Sequence, residues 1–467
     1  MIVIGGGLAG LSAGVALAEA GWRVRLFEQR PFLGGRATSY VLPDGEHVDN
    51  CQHVTLGCCT NLEDFYRRVG SENKIRFFDR LVFQDPQGRI GIIEAGMLPA
   101  PLHMTGSFLT FAPLSTADKA SIGRALLDII RGQGHTADLN EAGGISMLEW
   151  LRRRNQTPGA IERFWRVVLV SALDEELDRT DARFGVDVFW KGFLSNRKGY
   201  RMGVPSVPLA QLYEGCKSQI ERRGGEVNLR MPVRAIYCNQ GELTSIELEG
   251  QRQEKADAYV FAIPHQALAE LLPSAIKERE PQLAQIERIN VSPITGVHFW
   301  FDREVMKEPF LTLLDTTTQW IFNKTQLYGA GNGSGSEGGQ YLQLVISASY
   351  DLLQKPRQEI VDLCLAEVHA ALPLSREAKL VKSTVIKETA ATFSPEPGVD
   401  KLRPTQHTGV KGLYLAGDWT ATGWPATMEG AVRSGYLAAE ALLKDTGTPK
   451  SLVQPDLPVE TLVQWLG

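Results

Sequence analysis

The chain opens on a β-branched apolar run, Ile2, Val3 and Ile4, which glycines at 5, 6 and 7 cut at once. Residues 8–20 are rich in Ala and Leu without Pro, which predicts a helix, and Gly21 suits its left-handed stop. Positions 22–27 alternate toward a second strand ending at Glu28. Further on, apolar spacing predicts helices at 62–69, 117–130 and 147–151, so that 58–201 reads as mostly helical. Paired strands are predicted at 224–229 and 232–235, and further strands at 256–264, 294–301 and 340–347. A helix is expected at 357–372. Residues 412–418 read as strand then turn, and 428–443 as a closing helix of small and apolar residues. No window offers the ~18 uninterrupted apolar residues of a membrane span.

Strand, glycine turn, helix, strand and acid follow one another in the first 28 residues, and the glycines at 5, 7 and 10 match G-x-G-x-x-G. In that pattern the first glycine allows a tight turn, the second lets backbone approach a pyrophosphate, and the third lets helix and strand pack closely. The N–H groups of Leu8, Ala9 and Gly10, at the positive end of the helix, then face the anion. Glu28 stands 18 residues past Gly10, close to the ~20 at which a carboxylate meets an adenosine ribose. Another match at 333–338 precedes a strand instead of following one, and reads as a hairpin loop. One dinucleotide site is therefore expected.

Composition narrows the picture little further. With 49 Lys and Arg against 54 Asp and Glu, the formal net charge is -5, which gives no electrostatic case for a nucleic-acid partner. Arg152, Arg153 and Arg154 form the densest basic run found and read as a solvated helix face. Six cysteines without a CxxC pair suit a reducing cytoplasm, and no histidine cluster has metal-ligand spacing, so no metal is expected.

After Glu28 and Gln29, paired glycines at 34 and 35 stand beside Arg36. This arrangement resembles the amine oxidase and phytoene desaturase superfamily of FAD enzymes, in which a glycine doublet and an arginine follow the ribose-binding acid. The resemblance implies FAD, with Gly417 and Asp418 at its ribityl or pyrophosphate part, Met428 at a helix N-terminus facing the flavin N1–C2=O edge, and Val233 against the adenine. It implies an α/β fold in which a discontinuous Rossmann-like FAD domain (1–57, 202–268 and 386–447) interleaves with an α+β substrate domain (58–201 and 269–385). A tail at 448–467 completes the chain, and 459–466 reads as a short docking helix.

The run 417–435, with 49–54, 98–103, 207–213 and 391–393, is similar to one branch, the hydroxysqualene dehydroxylases. That branch usually has Gly where Cys51 stands. The resemblance implies reductive removal of an allylic hydroxyl from hydroxysqualene, a long isoprenoid lipid, with an unidentified electron donor. Such chemistry needs an acid for the departing oxygen, and His53 is the first candidate and Asp49 the second. Trp165, Phe189, Trp190, Phe299, Trp300, Phe301 and Trp320 are candidate tunnel aromatics, although the alternation of 299–301 must turn at least one away. The apolar, proline-broken segment 97–114 reads either as a buried loop or as a membrane-facing mouth, the latter placing a cytoplasmic protein peripherally on the bilayer. Two rivals use the same scaffold. A carotenoid desaturase would run hydride transfer the other way, and an amine oxidase would commonly place an aromatic at Thr427 and a lysine in a strand such as 291–302, which has none.

Overall fold

The computed structural model describes residues 1–141, 143–329 and 338–467. The predicted N-terminal unit forms a five-stranded parallel sheet in the order Glu226–Leu229, Arg25–Glu28, Ile2–Ile4, Tyr259–Phe261, Leu413–Leu415. Such a sheet is buried on both faces, which is why its strands are short apolar runs. Leu8–Glu19 covers one face and packs against Met428–Asp445, where Gly435 lies directly on Ala9 and Ser12 and Ser12 Oγ donates to the Val432 carbonyl at 3.2 Å.

A second, seven-stranded sheet runs Leu380–Phe393, Val291–Phe301, Gln340–Ser347, Trp320–Asn323, Phe310–Leu313, Arg80–Gln84, Ile90–Glu94. Its pairing is antiparallel except between Phe310–Leu313 and Arg80–Gln84. Along Val291–Phe301, Val297, Phe299 and Phe301 pack with Ile360 and Cys364 of the helix Arg357–Ala371. The alternate residues Gly296, His298 and Trp300 face the other way, and Gly296 lies against the backbone of Asn50 and Cys51. This period-two division fixes which face of the sheet meets the N-terminal unit.

Several expectations change. Residues 58–201 are mostly helical as expected, but Ile75–Phe78, Arg80–Gln84 and Ile90–Glu94 add strands that were not. Glu226–Leu229 does not pair with 233–235: it joins Arg25–Glu28 in parallel, while Val233–Asn239 pairs antiparallel with Glu242–Leu248 in a separate sheet. The boundary at 386 cuts a continuous strand, so 386–393 belong with the substrate sheet. Of the second glycine-rich match, 333–337 lie outside the described residues. The buried-loop reading of 97–114 fails for much of its length, since Met97 is 96% exposed and Leu109 62%.

Candidate functional site: the nucleotide cradle and its buried ion pair

Each glycine of the first turn meets a different physical demand. Gly5 has φ +105°, a left-handed value that L side chains rarely adopt, and its N–H donates to the Phe27 carbonyl at 2.8 Å. A Cβ on Gly10 would overlap the Gly5 carbonyl, so the helix can approach the turn only without one. At Gly7 the backbone is ordinary (φ -77°), and a Cβ there would find no neighbour nearer than the Gly35 Cα at 3.8 Å. That open space is where a pyrophosphate would lie. No side chain caps the helix above it and no acid stands in its first turn, leaving the N–H groups of Leu8, Ala9 and Gly10 to an anion.

The second glycine pair lies on the first. Gly34 N–H donates to the Gly6 carbonyl at 2.8 Å, and Gly34 bridges Gly7 in parallel register. Glu28 ties the assembly together, its two carboxylate oxygens accepting from Gly6 N at 2.6 Å and Arg30 N at 2.7 Å. A carboxylate offers about four acceptor sites, so two remain for ribose hydroxyls. Gln29 is exposed at the strand end. The chain returns beside it, with Met231 N–H donating to the Glu28 carbonyl at 2.9 Å, and this brings half-buried Val233 to the same end.

Arg36 and Asp418, 382 residues apart, form a 2.6 Å ion pair, and Arg36 also donates to the Ala391 carbonyl at 2.7 Å. A cleft beside them is lined by His265, Thr392, Phe393 and Trp419. Met428 begins its helix, with Thr427 as N-cap accepting from Gly430 N. The following residue, Glu429, was not anticipated. Fully buried, it accepts from Leu62 N at 2.8 Å and Asn61 Nδ2 at 2.8 Å and so caps the separate helix Thr60–Val69, which has no side-chain cap of its own. Burial pushes its carboxyl up to about 7.

The loop 49–53 lies between the cradle and the seven-stranded sheet, and here the structure corrects the choice of acids. Asp49 is 1% exposed and accepts four hydrogen bonds: from Ser39 Oγ (2.7 Å), Leu209 N (3.1 Å), Lys324 Nζ (2.8 Å) and Tyr328 Oη (2.5 Å). Despite the cost of burial, the Lys324 ammonium and these donors hold its carboxyl below the usual carboxylate range. Asp49 is therefore an ion-paired acceptor and no proton donor at neutral pH. His53 Nδ1 lies 2.9 Å from the Cys51 carbonyl, and burial lowers its pKa, so the ring is neutral and donates into its own loop. Lys324 is itself fully buried and also donates to Gln52 Oε1 at 2.6 Å, joining the short helix Lys324–Tyr328 to this loop.

Another buried carboxyl lies nearby. Asp174 ends the helix Val167–Leu173 in a left-handed conformation, φ +56°, and accepts from Ala348 N and from the pocket-lining Thr392, each at 2.8 Å. Burial, aided by the charge of Glu175, raises its pKa well above its ordinary value. Among the candidate aromatics, Trp165 and Phe189 are core residues packed on each other at 4.5 Å, and Phe299 and Phe301 face the helix Arg357–Ala371. Trp300 faces the loop side, stacked on Tyr341 at 4.6 Å. Trp320 donates to Ser171 Oγ at 2.8 Å, and Trp190 is half-buried.

Comparison with known proteins agrees with this geometry. The 15-cis-phytoene desaturase of Synechococcus elongatus is 27% identical over 94% of this chain and 95% of its own length, and the zeta-carotene desaturase of Synechocystis is 27% identical over 94% and 96%. Among solved structures, an oxidoreductase from Methanosarcina mazei superposes with a TM-score of 0.73 at 18% identity, covering 95% of this chain and 99% of its own. A cyclohexylamine oxidase from Brevibacterium oxydans does so with 0.68 at 17%, covering 96% and 99%. At these identities the structural neighbours establish the fold. The residues of the cradle fit FAD: the open space at Gly7, the uncapped helix and the free acceptor sites of Glu28 suit its diphosphate and ribose. Residues 8–443 match the pattern of the flavin-containing amine oxidoreductases, and the chain belongs to that family, with FAD as its cofactor.

Proposed function

We propose that this chain exchanges a hydride between FAD and an allylic carbon of a long, linear polyisoprenoid. The observation that carries the reading is the full-length similarity to two desaturases of such molecules, joined to a cradle that fits FAD. When bound, FAD supplies a hydride acceptor or donor at its N5. Glu28 would hold the adenosine ribose and the N–H groups of Leu8, Ala9 and Gly10 the diphosphate, with Arg36 and Asp418 nearer the flavin. The Asp49–Lys324 pair fixes the loop that carries Cys51 and His53, so that a substrate atom meets a rigid wall.

The relatives support desaturation of a polyene more strongly than any other direction. Reductive dehydroxylation of hydroxysqualene to squalene is the second reading, and a specific feature favours it. Hydroxide leaves poorly unless protonated, and burial favours the protonated form of Asp174, whose carboxyl bonds Thr392 of the cleft lining. Hydride removal from a polyene calls for no such acid. An anaerobic experiment separates the two: oxidised protein with phytoene in one cell, reduced protein with hydroxysqualene in the other, each followed by flavin absorbance and mass spectrometry of the lipid.

A further inference from the structure

Two segments that the sequence left apart meet on one face of the molecule. The terminal helix Thr461–Leu466 buries Val463 and leaves Trp465 80% and Leu466 45% exposed. Glu460, just before it, accepts from Ala100 N at 2.9 Å through one oxygen and from Arg197 N at 2.8 Å through the other. The helix is thereby fastened to the apolar segment that exposes Met97, Leu98, Leu102 and Leu109. Soluble surfaces rarely gather large apolar side chains in this way unless something covers them.

Charge indicates what covers them. Residues 95–114 contain no Asp, Glu, Lys or Arg. The two ends of the patch are held by cations: Arg197 Nη2 donates to the Gly96 carbonyl at 3.2 Å, and Lys119 Nζ to the Leu109 carbonyl at 2.7 Å, with exposed Lys198 adjacent, while the exposed acid at this edge, Glu94, stands opposite Arg80 in its strand pair. The carboxylate at the junction, Glu460, is engaged by two backbone N–H groups. An apolar surface with an exposed tryptophan and a cationic rim matches the acyl boundary of a bilayer beneath anionic headgroups. A second copy of the chain would bring the same cations against each other.

We propose that the helix Thr461–Leu466 and the segment 97–109 form one docking surface for an anionic lipid bilayer, with Trp465 seated at its interface. The inference needs no turnover and stands whichever direction the reaction runs. The test is co-sedimentation of the full-length, FAD-loaded protein with vesicles of phosphatidylcholine containing one quarter phosphatidylglycerol. Wild type should bind, and more weakly to phosphatidylcholine alone. Trp465→Ser and Met97→Ser should each weaken binding roughly tenfold, the effect of withdrawing one large apolar side chain from lipid. Trp465→Phe should restore most of it, and Leu374→Ser, at an exposed leucine outside the patch, should leave it unchanged. Flavin absorbance and circular dichroism of each variant report that the fold is intact. Wild type failing to sediment with either vesicle would overturn the proposal, as would equal binding by Trp465→Ser and Met97→Ser. It would equally be overturned by a lipid-free dimer that Trp465→Ser converts to monomer, since a second copy would then own the surface.

Discussion

Replacing Lys324 by Met removes the cation from a carboxylate that stays buried. Lys324 and Asp49 are 0% and 1% exposed and 2.8 Å apart. Removing one partner of such a pair costs about 3–5 kcal/mol, because the other charge is left without compensation. Ser39, Leu209 and Tyr328 still donate to Asp49, so the lower end, about 3 kcal/mol, is expected. The sign with pH follows from Asp49. Its folded pKa is depressed, so its contribution is present above the unfolded carboxylate value and is lost as pH falls through the depressed folded one. Without Lys324 that loss begins at higher pH. Urea unfolding of wild type, Lys324→Met, Asp49→Asn and the double variant, followed by tryptophan fluorescence at pH 7 and pH 5, measures the coupling. The double variant should be markedly less destabilised than the sum of the singles. Additive losses, or a Lys324→Met variant as stable as wild type at pH 7, would refute the claim that this pair fixes the flavin-side loop.

Other outcomes follow from the same geometry. Gly7→Val should fold, because among the described residues its Cβ would meet nothing nearer than the Gly35 Cα at 3.8 Å, yet purify without FAD, visible as lost absorbance near the flavin bands at unchanged circular dichroism. Glu429, raised from 4.5 to about 7, makes the protein lose roughly 3 kcal/mol as pH rises between those values, and Glu429→Gln should abolish that slope in urea midpoints measured from pH 4.5 to 7.5. Asp174→Asn should slow dehydroxylation by ~10²–10⁴-fold if this residue protonates the leaving oxygen and leave desaturation largely unchanged, as steady-state rates with each lipid would report.

The parts of the site legible in the sequence are those written in local spacing. Gly5, Gly7, Gly10 and Glu28 lie within one βαβ unit whose geometry is set by neighbours, and the structure assembles them as expected. Asp49 was found by position but misread in chemistry, because its partners Lys324 and Tyr328 are 275 and 279 residues away, on the short helix Lys324–Tyr328. A single lysine inside the otherwise uncharged stretch 316–329 was the available signal, since a charge in such a run needs a partner. Asp174 and Glu429 escaped notice for the same reason: their burial is a property of the packed molecule. The strands at 75–94 were missed because Arg76, Arg80, Gln84 and Arg89 break the apolar pattern, while pairing with Met202–Pro205 and Phe310–Leu313 overrides it.

Anaerobic single-turnover mixing would show whether this flavoprotein trades hydride with a polyisoprenoid. Either phytoene should bleach the oxidised flavin or hydroxysqualene should reoxidise the reduced flavin, with one lipid product formed per flavin. Exchange with a polyisoprenoid would be contradicted if neither lipid changed the flavin while an amine such as putrescine or cyclohexylamine bleached it.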